Sequence, residues 1–169
     1  MKKIFAAAAL LALGLTGAQA QTPQPADWTI LRLTADTNKP ADVTWERIGG
    51  HDWCGILRFL DRLKGCTINS GTGEVGSVRT VMVGTTPTVE MAVARTPLSY
   101  TYAQPYTPIF YHGTMAVEPV DATHSRIVYT LIWNQTPVGD AAAQTAAREA
   151  RQKSFQLAVD KMAAAANAP

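Results

Sequence analysis

Arg79 and Glu90 are the charged residues whose spacing points most directly to chemistry inside an apolar setting. Gly84-Thr85 reads as a two-residue turn between a strand over Glu74–Val83 and another over Thr88–Arg95. A symmetric register about that turn sets Arg79 directly opposite Glu90, within reach across one sheet face. Val81 and Val83 alternate in phase with Arg79, and Ala92 with Glu90, so the rest of that face is apolar. Two readings stay open. If buried, the pair must be mutual or shared with a ligand, because an unpartnered guanidinium in an apolar interior is very costly. If exposed, it is an ordinary cross-strand pair worth less than about 1 kcal/mol.

The tyrosines are the second group. Tyr100 and Tyr102 share one strand face, Tyr111 shares its face with Ile109, Met115 and Val117, and Tyr129 goes with Ile127, Leu131 and Trp133. With the apolar faces inward, four of the five tyrosines surround one interior. A buried phenol needs a hydrogen-bond partner, so such a ring calls for water or for a ligand with some polar groups. The alternative places the hydroxyls in solvent at the sheet rim.

Other motifs assign no catalytic residue, metal or cofactor. Gly71-Thr72-Gly73-Glu74-Val75-Gly76 spells the dinucleotide fingerprint, but a strand-like Ser77–Val83 follows where a helix would have to receive the phosphate. The glycines read as turn residues. No nucleophile elbow or HExxH occurs, and His51, His112 and His124 are scattered as surface histidines, with His112 out of phase with the inward residues of its strand. Cys54 and Cys66 form an even pair whose leading reading is a disulfide. A metal site with His51 lacks a fourth ligand, and two unlinked thiols are the third option.

The compartment follows from the first residues. Lys2-Lys3, an apolar run from Ile4 to Leu15 and Ala18-Gln19-Ala20 form a signal peptide over residues 1–20, too short for a permanent membrane span. The expected location is periplasmic or secreted, where disulfides persist. Of 169 residues, about 149 then remain, enough for one domain. Removing Lys2 and Lys3 lowers 15 basic residues to 13, equal to the 13 acidic ones, and no basic cluster remains to suggest nucleic acid or an anionic membrane as partner.

Residues 21–26 read as a flexible leader and 27–166 as the domain. A strand over Trp28–Thr34 is followed by a short helix, Ala41–Ile48, opened by Pro40, and a second, capped by Asp52 and ending near Leu60. Strands follow over Leu63–Asn69, Glu74–Val83, Thr88–Arg95, Leu98–Gln104, Ile109–Glu118 and Ser125–Asn134. Asp140 caps a long helix, Ala141–Ala165, whose stripe of Ala147, Ala150, Ser154, Phe155, Ala158, Met162 and Ala165 faces inward, with Arg148 and Arg151 on the wet side. The order implies an α+β fold in which a curved seven-stranded antiparallel sheet grips the last helix.

This chain resembles the START/Bet v 1 (SRPBCC) superfamily with the helix-grip fold, and most of all its polyketide cyclase/dehydrase-like branch. The likeness rests on Lys39-Pro40-Ala41-Asp42-Val43-Thr44-Trp45, Trp53, Gly73-Glu74-Val75-Gly76-Ser77-Val78-Arg79-Thr80, Glu90, Tyr100 and Tyr102, Tyr111-His112-Gly113-Thr114, and Phe155-x-x-Ala158-Val159-x-x-Met162. It spans the chain after the signal. Where relatives often carry Trp-His-Pro between the two cysteines, this chain has Gly55 to Leu63, so that histidine's role does not transfer.

The resemblance implies a cavity between sheet and helix and turns Arg79 and Glu90 toward it. The expected lining is Arg79, Val81, Val83, Glu90, Tyr100, Tyr102, Tyr111, Tyr129, Trp133, Ser154, Phe155 and Ala158, holding a small, largely hydrophobic molecule with some polar groups. Small residues at 150, 154 and 158 would leave it room, with Phe155 and Met162 closing its ends. Two other functions stay open: a cyclase or dehydratase using a cavity carboxylate or tyrosine as acid/base, and a structural module with a filled core.

Overall fold

In this computed structural model residues 27–169 are described, and the expected signal peptide and leader lie outside them. The elements are strand β1 (Trp28–Thr37), helix α1 (Ala41–Arg47), a 3-10 turn (Gly55–Phe59), strands β2 (Leu63–Ser70), β3 (Val78–Val83), β4 (Thr86–Thr96), β5 (Ser99–Ala103), β6 (His112–Pro119) and β7 (Ser125–Asn134), and helix α2 (Ala141–Asn167). The strands form one antiparallel sheet in the order β1-β7-β6-β5-β4-β3-β2. Consecutive strands pair from β2 to β7, as short hairpin connections dictate, and β1 closes against β7 because α1 and the 3-10 turn carry the chain to the far edge.

Strand β1 alternates cleanly, with Leu31 and Leu33 buried and Trp28 and Ile30 exposed. It runs to Thr37, beyond the expected end at Thr34, because Thr37 is anchored by side-chain bonds. Its Oγ1 lies 2.7 Å from Ser125 Oγ and 3.0 Å from Thr44 Oγ1, a buried hydroxyl cluster joining β1, β7 and α1. Curvature comes from irregular pairing in β2 and from the break between Ala92 and Ala94 in β4.

Three local expectations differ from the structure. The second short helix is a 3-10 turn, with Leu57 N–H donating to the Cys54 carbonyl at 3.1 Å and Leu60 N–H to Leu57 at 3.0 Å. Asp52 caps the Cys54 N–H at 2.8 Å, but only the five residues Gly55–Phe59 coil before the chain extends into β2, too few for a stable α-helix. Strand β3 begins at Val78, since Gly71, Gly73 and Gly76 all have left-handed φ and form a turn. Glu74 accepts from the Thr72 N–H and hydroxyl, both at 2.8 Å, so this turn satisfies its own donors. Strand β6 begins at His112, because Phe110 takes φ of 46°.

Asp140 caps α2 by accepting from Ala143 N–H at 2.9 Å. The buried face of α2 is Ala158, Val159, Met162, Ala163 and Ala166. Ala150 is exposed, which corrects the expected stripe. Only the C-terminal half of α2 is pressed into the core, beside Trp45, Ile48, Trp53, Ile56 and Trp133. Arg47 donates to the Ala166 carbonyl at 3.0 Å, a cation placed where the helix dipole favours it. Cys54 and Cys66 form a disulfide with a Cα–Cα distance of 6.0 Å, tying the 3-10 turn to β2.

Candidate functional site

The β3–β4 hairpin has the register expected from its turn: Val83 pairs with Thr86, and Arg79 with Glu90. Both charged side chains are buried, Arg79 at 0% exposure and Glu90 at 3%, so the pair is internal. Arg79 Nε donates to Glu90 Oε2 at 2.8 Å and Nη2 lies 2.7 Å from the same oxygen. A further Arg79 nitrogen donates to the Trp53 carbonyl, and the guanidinium lies 4.0 Å over the Trp53 ring. Desolvation acts to depress the Arg79 pKa, and the Tyr100 oxygen and Glu90 carboxylate more than offset it, leaving it above the ordinary value.

The polar row continues across the sheet. Gln104, just past the last β4–β5 pair of Met91 and Ala103, donates from Nε2 to Glu90 Oε1 at 2.9 Å. Both carboxylate oxygens are therefore engaged. The Gln104 N–H donates to the Tyr111 carbonyl at 2.8 Å, bringing Tyr111 to the next position. Tyr102 and Tyr129 share a hydroxyl–hydroxyl hydrogen bond of 2.8 Å. Tyr111 Oη is buried and makes no geometrically sound hydrogen bond among the described residues, although the Tyr102 hydroxyl is near enough to act on it. Burial is the largest influence on Tyr100, Tyr102, Tyr111 and Tyr129, and it raises all four pKa values. The phenols thus remain protonated donors at neutral pH.

Tyr102 reaches this position because residue 113 is glycine. A Cβ at Gly113 would stand 2.4 Å from Tyr102 Cζ, so the ring lies across bare backbone of the neighbouring strand. Gly113→Ala is expected to cost roughly 1–3 kcal/mol through overpacking and to displace the Tyr102 hydroxyl from Tyr129. Thermal denaturation with near-ultraviolet circular dichroism checks this; an unchanged tyrosine signal and melting temperature would contradict it.

Between the sheet, the 3-10 turn and α2 lies a cavity of about 400 Å³. Leu57, Leu60, Leu63, Val83, Ile109 and Phe155 supply its apolar wall, and Arg62, Thr86, Thr88, Glu90, Tyr102, Gln104, Tyr111, Arg151 and Ser154 its polar groups. Of the residues expected there, Val83, Glu90, Tyr102, Tyr111, Ser154 and Phe155 line it. Arg79, Val81, Tyr100, Tyr129, Trp133 and Ala158 do not; all six are buried in the packed interior beyond it. Arg79 stands behind Glu90, and Ala158 is enclosed by core, so a large residue at 158 would overpack the domain rather than plug the cavity.

Several lining residues escaped the sequence reading. Gln104 had a usable signal, being two residues beyond Tyr102 and in phase with it. Leu57, Leu60 and Leu63 recur at three-residue steps, which suits a 3-10 turn. Arg151, expected on the wet side because it falls off the apolar stripe, lines the cavity instead. It sits three and four residues before Ser154 and Phe155, and its guanidinium lies 4.8 Å over the Trp133 ring.

Residues 29–167 match the family model described as polyketide cyclase / dehydrase and lipid transport. The chain belongs to this family. The resemblance to the START/Bet v 1 superfamily and the helix-grip fold both hold. The ZhuI aromatase/cyclase from Streptomyces sp. R1128 is similar at 17% identity and a TM-score of 0.66, covering 83% of this chain and 94% of that one. A Thermobifida fusca protein solved by solution NMR gives 18% identity and 0.62, covering 83% and 97%. Ara h 8.0201 gives 15% and 0.54, covering 80% and 98%. At these identities the likeness is one of fold. No protein among the curated sequences matches the chain.

Proposed function

We propose that this family member is an exported, periplasmic or secreted, binding protein for a small, largely hydrophobic ligand held between the sheet and α2. The observation that carries this reading is the cavity itself: about 400 Å³, with a wall of leucine, valine, isoleucine and phenylalanine on one part and nine polar residues on the rest. That volume and lining suit a small molecule. Export is supported by the signal-like residues 1–20 and by the Cys54–Cys66 disulfide, a bond that persists in oxidising compartments.

An acid/base enzyme is the weaker reading for a stated reason. Glu90 is the cavity carboxylate, and both of its oxygens already accept, Oε2 from Arg79 and Oε1 from Gln104, so it is committed first to the buried pair. The phenols, held protonated by burial, can donate a hydrogen bond to a ligand but do not supply a base at neutral pH.

Ser154→Trp tests the assignment. Position 154 is on the cavity wall and only partly buried, so the indole fills space without crowding the core. The variant is expected to lose binding of the neutral apolar fluorophore N-phenyl-1-naphthylamine by more than about tenfold while melting close to wild type. Native mass spectrometry of protein purified from the periplasm should show a co-purifying molecule in wild type and none in the variant. Undiminished fluorophore binding in a folded variant would place the site elsewhere.

A further inference from the structure

The cavity carries positive charge that the protein itself does not neutralise. Glu90 is matched by Arg79, but Arg62 and Arg151 also line the cavity and neither has a carboxylate within 4.0 Å among the described residues. Arg151 spends one donor on the Ala147 carbonyl at 3.3 Å, its own helix four residues back, and rests its guanidinium on Trp133. Arg62 is exposed and stands where the cavity meets solvent. On the same wall the Tyr111 hydroxyl is buried and makes no geometrically sound hydrogen bond among the described residues, Tyr102 being its polar neighbour.

These three groups are close enough to feel each other. Burial first, and the like charge of Arg62, hold the Arg151 pKa below its ordinary value; burial raises Tyr111, opposed first by the neighbouring Tyr102 hydroxyl and then by Arg151 and Arg62. Two like charges on one cavity wall repel each other, and an anion placed between them would be favoured by both and could accept from the Tyr111 hydroxyl. Everything else on the wall is apolar or neutral, apart from Glu90, which Arg79 balances.

We infer that Arg62, Arg151 and Tyr111 form an anion subsite at the cavity mouth, and that the ligand is an amphiphile ending in an anionic oxygen group, a carboxylate or a phosphate ester, with its apolar body on Leu57, Leu60 and Phe155. This deepens the binding-protein reading and rests on it. Arg62 and Arg151 retain solvent contact, which lets the charged end stay partly hydrated while the apolar body is enclosed.

The test displaces bound N-phenyl-1-naphthylamine with decanoate, decyl phosphate and decanol, in wild type, Arg62→Gln/Arg151→Gln and Tyr111→Phe. In wild type at least one anion should displace the probe about tenfold more effectively than decanol, with the advantage shrinking as salt rises. Which anion leads separates carboxylate from phosphate recognition. The double variant should lose that advantage, and Tyr111→Phe part of it, while decanol displacement stays within about twofold and the melting temperature holds. Equal displacement by decanol and both anions in wild type would overturn the subsite and leave the cavity reading standing. So would parallel losses for all three competitors in the double variant. No probe binding by wild type would instead sink the cavity reading, and the subsite with it.

Discussion

Glu90→Gln is expected to lower stability by about 3–5 kcal/mol, because it removes the one carboxylate among the described residues that pairs with a fully buried guanidinium, while keeping the side chain's shape. For a domain of this size that is a fall of roughly 6–20 °C in melting temperature. The glutamine keeps one acceptor oxygen for two donors, Arg79 and Gln104, so the loss combines the missing charge with one hydrogen bond. Arg79 has no route to water: it is 0% exposed, covered on one side by Trp53 and joined to that residue's carbonyl. The double variant Arg79→Met/Glu90→Gln should recover most of the loss, since an apolar chain of similar length removes the stranded charge. Melting curves for the three variants, Arg79→Met included, complete the cycle. A Glu90→Gln protein melting like wild type would contradict the buried pair. Because Glu90 also faces the cavity, the same variant should weaken binding of N-phenyl-1-naphthylamine.

Breaking the Cys54–Cys66 bond should be the next largest effect. The bond spans 12 residues, and closing a loop of that length restricts the unfolded chain by about 3 kcal/mol, or roughly 6–12 °C in melting temperature. The consequence reaches the site, because the bond anchors the segment that carries Leu57, Leu60 and Arg62 into the cavity wall. Its flanking turn is short and 3-10 in character, with few hydrogen bonds of its own to hold it. Cys54→Ser/Cys66→Ser is therefore expected to reduce fluorophore binding more than its stability loss alone explains, and hydrogen exchange should localise the loosening to residues 54–63. A double variant that binds normally at temperatures where it is folded would show that the wall holds its position unaided.

What the sequence determined by itself were the features set by local rules. A two-residue turn at Gly84-Thr85 fixes which residues face each other, so the Arg79–Glu90 pairing followed from counting. Strand alternation turned Tyr100, Tyr102, Tyr111 and Tyr129 inward, and all four are buried. The helix cap at Asp140 and the cysteine pair were equally legible. Local rules say which way a side chain points, and nothing about how far away the opposite wall stands. That distance comes from tertiary packing: α2 presses its C-terminal half into the core and stands off the sheet near Arg151 and Ser154, so Tyr111 meets open space while Tyr129 and Ala158 meet other side chains. The same offset carries Arg151, charged and hydrophilic by composition, to the mouth of an apolar cavity, with its stem along Trp133. Facing is a short-range property of the chain, whereas empty volume depends on every element that encloses it, and so only the assembled structure divides the inward residues into lining and core.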